Sequence, residues 1–383
     1  MEFYIESSEL VNALARVQGI VDKTGTSILS HVLVSTDKEK DQITLTATDT
    51  NLSLQASYPA NIKVEGSVAV KAHRFFQIAR SLGDKTVHIK FNARNRIELK
   101  SGKAEFKIAE CRNADEFPPT KNIQEGTKIS FAEKTLKRLI EETVFSIVDN
   151  KRAGLNGAHL EFDASKNTLR MITTDGNRLS LSEGIVEDIS NLPADDSLKR
   201  LFDRVLVPRK ALLELKKLCE DDEMLWTISF GNREANFSRE GMSLMVNLID
   251  GQFPDYQPVL QSLMSKVDKK EAHIKRKELL DVFRRVGIFI SKTNNAVTFD
   301  FTKEDLTLST TNPDYGDFEE QLDVDFDGIP IRVAFNLKYF QDILNAVQGD
   351  TLQLELGDVL DPCILQLKDR DDCKFVIMPM RLN

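Results

Sequence analysis

Ile129-Ser-Phe-Ala-Glu-Lys-Thr-Leu136 predicts a short strand that runs directly into an amphipathic helix, and two similar stretches occur elsewhere in the chain. They are Phe3-Tyr-Ile-Glu-Ser-Ser-Glu-Leu10 and His273-Ile-Lys-Arg-Lys-Glu-Leu279. In all three, an apolar strand residue precedes the first core leucine by five positions. The helices then place residues at i, i+3, i+4 and i+7, as one buried face requires. These residues, all apolar except Thr143, are Leu10, Ala13, Leu14 and Val17; Leu136, Leu139, Ile140 and Thr143; and Leu279, Val282, Phe283 and Val286.

Two further signatures recur in the same order, at a step of roughly 130 residues. A strand-like run ends in Thr-Asp or Thr-Asn at Leu45-Thr-Ala-Thr-Asp49, Leu169-Arg-Met-Ile-Thr-Thr-Asp175 and Leu306-Thr-Leu-Ser-Thr-Thr-Asn312. A second strand and helix follow at 70–78, 207–215 and 335–343, and then an alternating strand at 86–91, 225–230 and 351–356. Unrelated strand–helix pairs would not share this order, so we interpret the chain as three copies of one unit.

The predicted fold class is α+β, with three repeated domains that each pack two helices on antiparallel sheets. The predicted limits are 1–125, 126–262 and 263–383. Glu116-Phe117-Pro118-Pro119 and Gln252-Phe253-Pro254-Asp255 end two of the units, because proline removes a ladder donor. Linkers are therefore expected near 118–127 and 255–271.

Composition places the chain among ordinary globular proteins, with 41% hydrophobic and 29% charged residues. The opening MEFYIESSEL lacks the regions of a signal peptide, and no run approaches the ~18 apolar residues of a membrane helix. We therefore expect a cytoplasmic protein. Cys111, Cys219, Cys363 and Cys373 form no C-x-x-C pair and the five histidines are scattered, which favours free thiols over a metal site.

The net charge of −9 and pI near 5.3 argue against DNA binding by bulk electrostatics. The predicted helices are nevertheless basic on their outer faces. Their cations include Arg74 and Arg80; Lys134, Lys137 and Arg138; Arg209, Lys210, Lys216 and Lys217; and Lys275, Arg276, Lys277, Arg284 and Arg285. Repetition at corresponding positions favours one shared basic surface over simple solvation. If the units closed into a ring with helices inward, these cations would line the hole and the acidic remainder would face outward.

The whole chain resembles the bacterial β sliding clamp family. The motifs that carry the resemblance are Leu136-Lys-Arg-Leu-Ile-Glu141, Leu155-Asn-Gly157, Thr174-Asp-Gly-Asn-Arg-Leu179, Val207-Pro-Arg-Lys210, Asp250-Gly-Gln-Phe-Pro-Asp-Tyr256 and Val376-Ile-Met-Pro-Met-Arg-Leu382. The resemblance implies a head-to-tail homodimer of three clamp domains each, a six-domain ring that encircles duplex DNA independently of sequence. It implies no catalytic activity and no cofactor. The implied partners are the replicative DNA polymerase, the clamp loader and other proteins that carry a clamp-binding motif, with no membrane.

The resemblance also implies three sets of functional residues. The peptide-binding cleft matches Leu155, Thr174, Gly176, Arg178, Leu179, Pro254, Val259, Asn336, Tyr339, Leu360, Pro362, Val376, Met378, Pro379, Met380 and Arg381. The DNA-facing set is Lys23, His73, Arg80, Lys151, Arg152, Arg209, Lys210 and Lys277. The dimer-interface set is Arg74, Ile78, Leu82, Lys103, Phe106, Ile288 and Phe289, with Arg74 and Lys103 facing the acids Asp314, Asp317, Glu319 and Glu320.

The chain departs from the family pattern at Pro258, at Ala153 and Gly154, and at Glu105, where the family often has basic or aromatic residues. Two rival functions also remain. An enzyme would need Asp175, near Asn177 and Arg178, as a catalytic carboxylate, but its recurrence as Thr-Asp favours a structural turn. A peptide-binding scaffold that forms no ring is the second rival, and the mass of the protein in solution would separate it from a clamp.

Overall fold

The computed structural model describes the chain except residues 24, 84, 121–122, 124–125, 149–153, 192–200, 203–204, 221–222, 265–269, 292–294 and 382–383. The described residues form two compact units. The first comprises Met1–Lys134, Glu187–Ala194 and Lys210–Leu248, and the second comprises Thr135–Val186, Asp195–Arg209 and Ile249–Asn383.

The α-helices are α1 (Ser7–Val17), α2 (Ala72–Ser81), α3 (Glu133–Thr143), α4 (Arg209–Leu218), α5 (Gln257–Met264), α6 (Arg276–Val286) and α7 (Leu337–Ala346). All but α5 coincide with helices predicted from the repeat. Every residue of the predicted stripes in α1, α3 and α6 is buried, including Thr143, whose hydroxyl donates to the Leu139 carbonyl at 2.6 Å. A threonine can occupy that core position because its hydroxyl has a partner inside the helix.

The strands of the first repeat are β1 (Glu2–Glu6), β2 (His31–Asp37), β3 (Gln42–Thr48), β4 (Leu52–Pro59), β5 (Asn61–Val64), β6 (Ser67–Lys71), β7 (Thr86–Phe91), β8 (Ile97–Ser101), β9 (Ala104–Ile108) and β10 (Cys111–Arg112). Those of the second are β11 (Lys128–Ala132), β12 (Gly157–Asp163), β13 (Thr168–Thr174), β14 (Arg178–Ile185), β15 (Asp188–Ser190), β16 (Leu206–Pro208), β17 (Leu225–Phe230), β18 (Glu234–Arg239) and β19 (Met242–Asn247). Those of the third are β20 (Lys270–Lys275), β21 (Ala296–Phe301), β22 (Asp305–Asn312), β23 (Gly316–Asp323), β24 (Asp325–Asp327), β25 (Ile331–Asn336), β26 (Thr351–Leu356), β27 (Cys363–Leu367) and β28 (Arg370–Ile377).

Each repeat divides its strands between two half-sheets, and neighbouring repeats share a sheet. In the first unit, β10-β6-β2-β3-β4 continues through β19-β18-β17-β11-β15 as one ten-stranded sheet. In the second unit, β16-β12-β13-β14 continues through β28-β27-β26-β20-β24 as one nine-stranded sheet. Two half-sheets stand alone: β5-β1-β7-β8-β9 from the first repeat and β23-β22-β21-β25 from the third. One edge of the first of these half-sheets is β9, and one edge of the second is β23.

The apolar core of the third repeat illustrates how the helices are held. Leu279, Val282, Phe283 and Val286 of α6 pack with Phe340 of α7 over the sheets, all below 1% exposed. Phe283 lies 6.1 Å from Phe299 and 5.9 Å from Phe340 in edge-on contacts, the geometry that aromatic rings prefer. Truncating such a phenylalanine to alanine typically costs about 3–5 kcal/mol.

The recurring Thr-Asp signature is a structural turn, as predicted. The Asp49 carboxylate accepts from the backbone N–H groups of Asn51 and Leu52 at 2.9 and 2.7 Å. Asp175 accepts in the same way from Asn177 and Arg178 at 2.9 and 3.0 Å. In the third copy, Asn312 Oδ1 accepts from the Asp314 N–H at 2.9 Å. Asp and Asn suit this position because their short side chains mimic a backbone turn.

The structure differs from two expectations about polar segments. The expected linker at 255–271 contains α5 and the start of β20. Arg138 was expected on an outer basic face, but its guanidinium binds Asp372 at 2.9 Å, Glu142 at 3.2 Å and the Glu183 carbonyl at 2.7 Å. Glu142 lies one helical turn further along α3, but helical spacing could not anticipate Asp372 and Glu183, because they come from β28 and β14, far along the chain.

Candidate functional site

The floor of the candidate peptide site is an apolar row across four adjacent strands of the second unit. Leu179 on β14 lies opposite Val376 on β28, and Val376 lies opposite Ile364 on β27. Leu181 of β14 lies opposite Ile172 of β13. All five belong to one buried cluster, which also contains Tyr256. Leu179 and Val376 were predicted site residues, whereas Ile172, Leu181 and Ile364 were missed.

The chain around α5 covers part of this floor. Tyr256 is 8% exposed and belongs to the cluster, and Phe253 and Leu260 pack against it. The Tyr256 hydroxyl donates to Glu161 Oε2 at 2.5 Å, and desolvation raises the pKa of this phenol well above its usual value. Arg170 lies 3.7 Å from Glu161 and 2.6 Å from Glu183. This polar network fixes Tyr256 and therefore the start of α5.

Exposed apolar side chains lie on the chain segments that adjoin the floor residues in sequence. Val259 on α5 is 44% exposed, Leu360 is 73% exposed and Met378 is 41% exposed. Leu155, Pro362, Pro379 and Met380 are half-buried, and Pro254 and Arg381 are exposed. Flexible Met and aliphatic side chains of this kind suit a surface that binds short peptides.

The C-terminal tail is fixed by its backbone beyond the last strand. β28 ends at Ile377, after which the Met378 N–H donates to the Asn177 carbonyl at 2.9 Å. The Met380 N–H donates to the Ala334 carbonyl at 2.7 Å. Met378 and Met380 are therefore not interior residues of a strand, and their backbone is tied to the Asp175 turn and to β25.

Arg178, a predicted cleft residue, is directed into the protein. Its guanidinium donates to Asp175 at 3.0 Å, to Asp342 at 2.7 Å and to the Phe145 carbonyl at 2.6 Å. It also stacks 4.5 Å from the Tyr339 ring centroid, and its side chain is 7% exposed. Arg178 thus ties the Asp175 turn to α7 rather than offering free donors to a ligand.

The remaining predicted polar residues shape the backbone near the site. Thr174 donates to the Arg178 carbonyl at 2.6 Å and accepts from the Gly176 N–H at 3.1 Å. Asn336 caps α7 by accepting from the Lys338 N–H at 3.0 Å. Gly154 has a φ of +90°, and a Cβ there would collide with the Gln252 carbonyl. The departure at Gly154 therefore has a physical reason, since no aromatic residue fits that conformation.

The predicted DNA-facing residues are divided between the units. Lys23, His73, Arg80 and Lys210 are exposed in the first unit. In the second unit, Arg209 is half-buried and Lys277 is exposed. Lys151 and Arg152 lie outside the described residues. Lys210 is not a bare cation, because its ammonium lies 2.5 Å from the Asp49 carboxylate.

The loop that carries Lys23 is held by three basic side chains. Lys71 donates to the Gly25 carbonyl at 2.5 Å, Arg112 donates to the Thr26 carbonyl at 3.2 Å, and His31 Nδ1 lies 3.2 Å from the Ser27 carbonyl. Burial lowers the pKa of His31. Sequence patterns gave no sign of this arrangement, because it joins three separate strands to one loop.

The predicted dimer-interface residues also fall into both units. Ile78, Leu82 and Phe106 of the first unit are half-buried, and Arg74 and Lys103 are exposed. In the second unit, Ile288 is 73% exposed, and Phe289 lies 5.7 Å from Phe318 of β23, a residue that the sequence analysis missed. Two of the expected ion-pair residues are already paired within the chain: Arg74 lies 3.7 Å from Glu110, and Glu320 binds Arg285.

None of the helices in the described part of the chain is long and apolar enough to cross a membrane. Within the same residues, no group of three His, Cys, Asp or Glu side chains is positioned to hold a metal ion. Asp175, the carboxylate that an enzyme would have used, is engaged by the Asn177 and Arg178 backbone and by the Arg178 side chain.

Comparison with known proteins identifies all three repeats. Family models match the N-terminal domain of the DNA polymerase III beta subunit at residues 1–123, its central domain at 130–255 and its C-terminal domain at 261–381. The beta sliding clamps of Vibrio cholerae and Pseudomonas putida are 31% and 30% identical, and each alignment covers 100% of both chains.

Solved structures agree over the full length. The Pseudomonas aeruginosa sliding clamp bound to griselimycin superposes with a TM-score of 0.89 at 27% identity, and the Bacillus subtilis sliding clamp with 0.88 at 25%. Both comparisons cover 100% of each chain. The chain therefore belongs to the DNA polymerase III beta subunit family, the beta sliding clamps.

Proposed function

We propose that this protein is the sliding clamp of a replicative DNA polymerase, an accessory protein rather than an enzyme. Two copies join head to tail into a six-domain ring that encircles duplex DNA without reading its sequence. The polymerase, the clamp loader and other partners then dock on the ring through short peptides. The tether raises the concentration of the polymerase at the primer end, so synthesis continues without repeated rebinding. We infer that it works in the cytoplasm, where the bacterial chromosome lies.

The observation that carries the proposal is the pair of half-sheets that stand alone. Each internal junction joins a half-sheet from one repeat to a half-sheet from the next, through β4 with β19 and through β14 with β28. The first repeat keeps one spare half-sheet ending in β9, and the third keeps one ending in β23. A head-to-tail contact between copies would join them, and closing it twice leaves no free edge for filament growth.

Surface chemistry supports two of the three site assignments. The exposed basic residues Lys23, Arg80, Lys210 and Lys277 provide cations for DNA phosphates in a chain whose net charge is −9. The exposed apolar side chains of Val259, Leu360 and Met378, on segments that adjoin the buried floor in sequence, support the peptide cleft. We retain 1–125, 126–262 and 263–383 as the proposed limits of the clamp domains.

The deciding experiment compares retention on circular and linear DNA. The purified protein is loaded onto nicked circular DNA by a clamp loader, and the DNA is then cut once with a restriction enzyme. A ring should remain on the circle through gel filtration and leave within the assay time after linearisation. Equal retention on both forms would overturn the proposal and indicate binding by direct affinity. A monomeric mass at all concentrations, with peptide binding intact, would instead support the scaffold that forms no ring.

A further inference from the structure

Each internal junction is formed by two strands, β4 with β19 or β14 with β28. In the repeat, β23 corresponds to β4 and β14, and β9 corresponds to β19 and β28. Equivalent positions in β4, β14 and β23 can be identified from their partners on the neighbouring strand. In each repeat, the reference partner is the residue just before the recurring threonine (Thr48, Thr174 or Thr311). These pairs are Leu54 with Ala47, Ser180 with Thr173, and Phe318 with Thr310. Phe318 of β23 therefore corresponds to Leu54 of β4 and Ser180 of β14.

The strands on the other side of each junction, β19, β28 and β9, can be aligned through the hairpin that each forms with the preceding strand. Equivalent hairpin pairs are Leu244 with Phe237, Phe375 with Leu365, and Phe106 with Leu99. Phe106 of β9 therefore corresponds to Leu244 of β19 and Phe375 of β28. The two alignments are independent of each other, because they come from different hairpins.

Both internal junctions use the same register. Leu244 lies opposite Leu54, and Phe375 lies opposite Ser180, with all four residues at most 1% exposed. Transferring this register to the spare edges sets Phe106 opposite Phe318. Each of these phenylalanines is only half-buried in a single copy, and a cross-strand aromatic pair would bury both.

The same register determines which charged residues next to Phe106 and Phe318 lie opposite each other. In this register Lys107 of one copy would lie opposite Asp317 of the next, which is favourable, but Glu105 would lie opposite Glu319. At the internal junctions the matching pairs are Ser243 with Gln55 and Lys374 with Leu181, neither of which brings like charges together. Like charges directly opposite each other destabilise a strand pair.

Glu105 also occupies the two lysines nearest the edge. Its carboxylate lies 3.4 Å from Lys107 Nζ and 3.7 Å from Lys100 Nζ, and all three side chains are about half exposed. These lysines would otherwise face the acids of β23. Glu105 thus competes, within its own chain, for the cations that the joint needs.

Resting on the proposed ring, in which β9 of one copy pairs antiparallel with β23 of the next with Phe106 opposite Phe318, we propose that Glu105 weakens this joint. Glu105 does so by opposing Glu319 and by holding Lys100 and Lys107. The ring of this chain therefore opens more readily than one with a neutral residue at that position.

The register is tested by disulfide crosslinking of the full-length protein. Directly opposite Cβ atoms lie about 4.5–5.5 Å apart and diagonal ones about 7–8 Å, whereas a disulfide needs roughly 3.5–4.5 Å. Glu105→Cys with Glu319→Cys should give covalent dimers under mild oxidant, reversed by reductant. Glu105→Cys with Gln321→Cys, two residues out of register, should give far fewer. The single Glu105→Cys variant measures the background from Cys111, which is half-buried, while the other native thiols are buried.

The weakening is tested by the dimer dissociation constant from sedimentation at several concentrations. Glu105→Gln should tighten each joint on the order of two- to fivefold, and the two joints of a ring multiply the gain. The matched control is Glu6→Gln on β1, which removes a carboxylate from the same sheet away from the edge and should leave the constant unchanged.

The outcomes separate this inference from the proposed function. A dimer in which only the shifted cysteine pair crosslinks overturns the register and leaves the ring intact. A Glu105→Gln dimer that is no tighter than the parent overturns the role of Glu105. A chain that is monomeric at every concentration overturns the ring itself, and with it both parts.

Discussion

Among single residues, His31 has the clearest electrostatic consequence. Burial lowers the pKa of His31, so the neutral imidazole is the form that suits the fold. Because the unfolded chain binds the proton more tightly, the folded state loses stability as the pH falls through the unfolded value near 6.5. Lys71 and Arg112 oppose the same protonation.

We therefore expect the melting temperature to fall between about pH 7.5 and pH 5.5, and to fall less in His31→Gln. Differential scanning calorimetry at both pH values measures this difference. A parent and a variant with identical pH dependence would show that other groups control acid stability. Since the loop held by His31 carries Lys23, the same acid shift should increase proteolysis near residues 22–27.

Met380 tests the peptide cleft at the scale of one side chain. Met380→Ala removes a half-buried thioether but keeps the backbone bond from Met380 N–H to the Ala334 carbonyl. We expect a polymerase-derived peptide to bind roughly tenfold more weakly, since losing the apolar contacts of a partly exposed side chain of this size costs on the order of 1–2 kcal/mol. Fluorescence anisotropy gives the affinity, and thermal melting checks the fold. Parent-like affinity in a variant that melts like the parent would return Met380 to a purely structural role.

At the scale of elements, the first turn of α4 contains a lysine, Lys210, for which two roles are to be distinguished. Lys210 lies 2.5 Å from Asp49, which also forms the Thr-Asp turn of the first repeat. The lysine could serve the fold through this carboxylate or serve DNA through its ammonium. Removing the Asp49 carboxylate would weaken the fold if Lys210 serves the fold, but it would free the ammonium for phosphates if Lys210 serves DNA.

If Lys210 faces DNA, Lys210→Ala should shorten retention on nicked circles and lower the salt slope by about one. Asp49→Asn keeps the acceptor oxygen of the turn, frees the ammonium, and should lengthen retention or leave it unchanged. Both are measured by gel filtration of loaded circles at several salt concentrations. Equal losses of retention and of melting temperature in the two variants would assign Lys210 to the fold alone.

For the whole molecule, ring closure should depend on the apolar edge at β9. Phe106→Asp would bury an uncompensated charge in the joint, at a cost on the order of several kcal/mol. Sedimentation should then find folded monomers, verified by circular dichroism. Val64→Asp is the matched control, because Val64 is 51% exposed on β5 at the opposite edge of the same half-sheet. A Phe106→Asp protein that stays dimeric would mean that the copies meet through another surface.

Much of this architecture could be predicted from the sequence because it depends on local periodicity. The stripes in α1, α3 and α6, the strand before each helix and the Thr-Asp turns all follow from residues within a few positions of one another. Leu179, Val376 and Met378 could be assigned to the peptide site because they lie in motifs that resemble the family. Local spacing alone would not have distinguished them from other apolar residues.

Only the tertiary structure decided what the periodicity leaves open, namely which strand covers which edge. An alternating pattern identifies the buried face of β4 or β14 but not the partner strand, which lies more than a hundred residues away as β19 or β28. The same reason explains the errors: Arg138 meets acceptors from other strands, and the segment at 257–264 becomes a helix where Tyr256 and Leu260 find the floor cluster. The spare edges at β9 and β23 emerge in the same way, since an edge is defined by all the pairings of a sheet and not by its own residues.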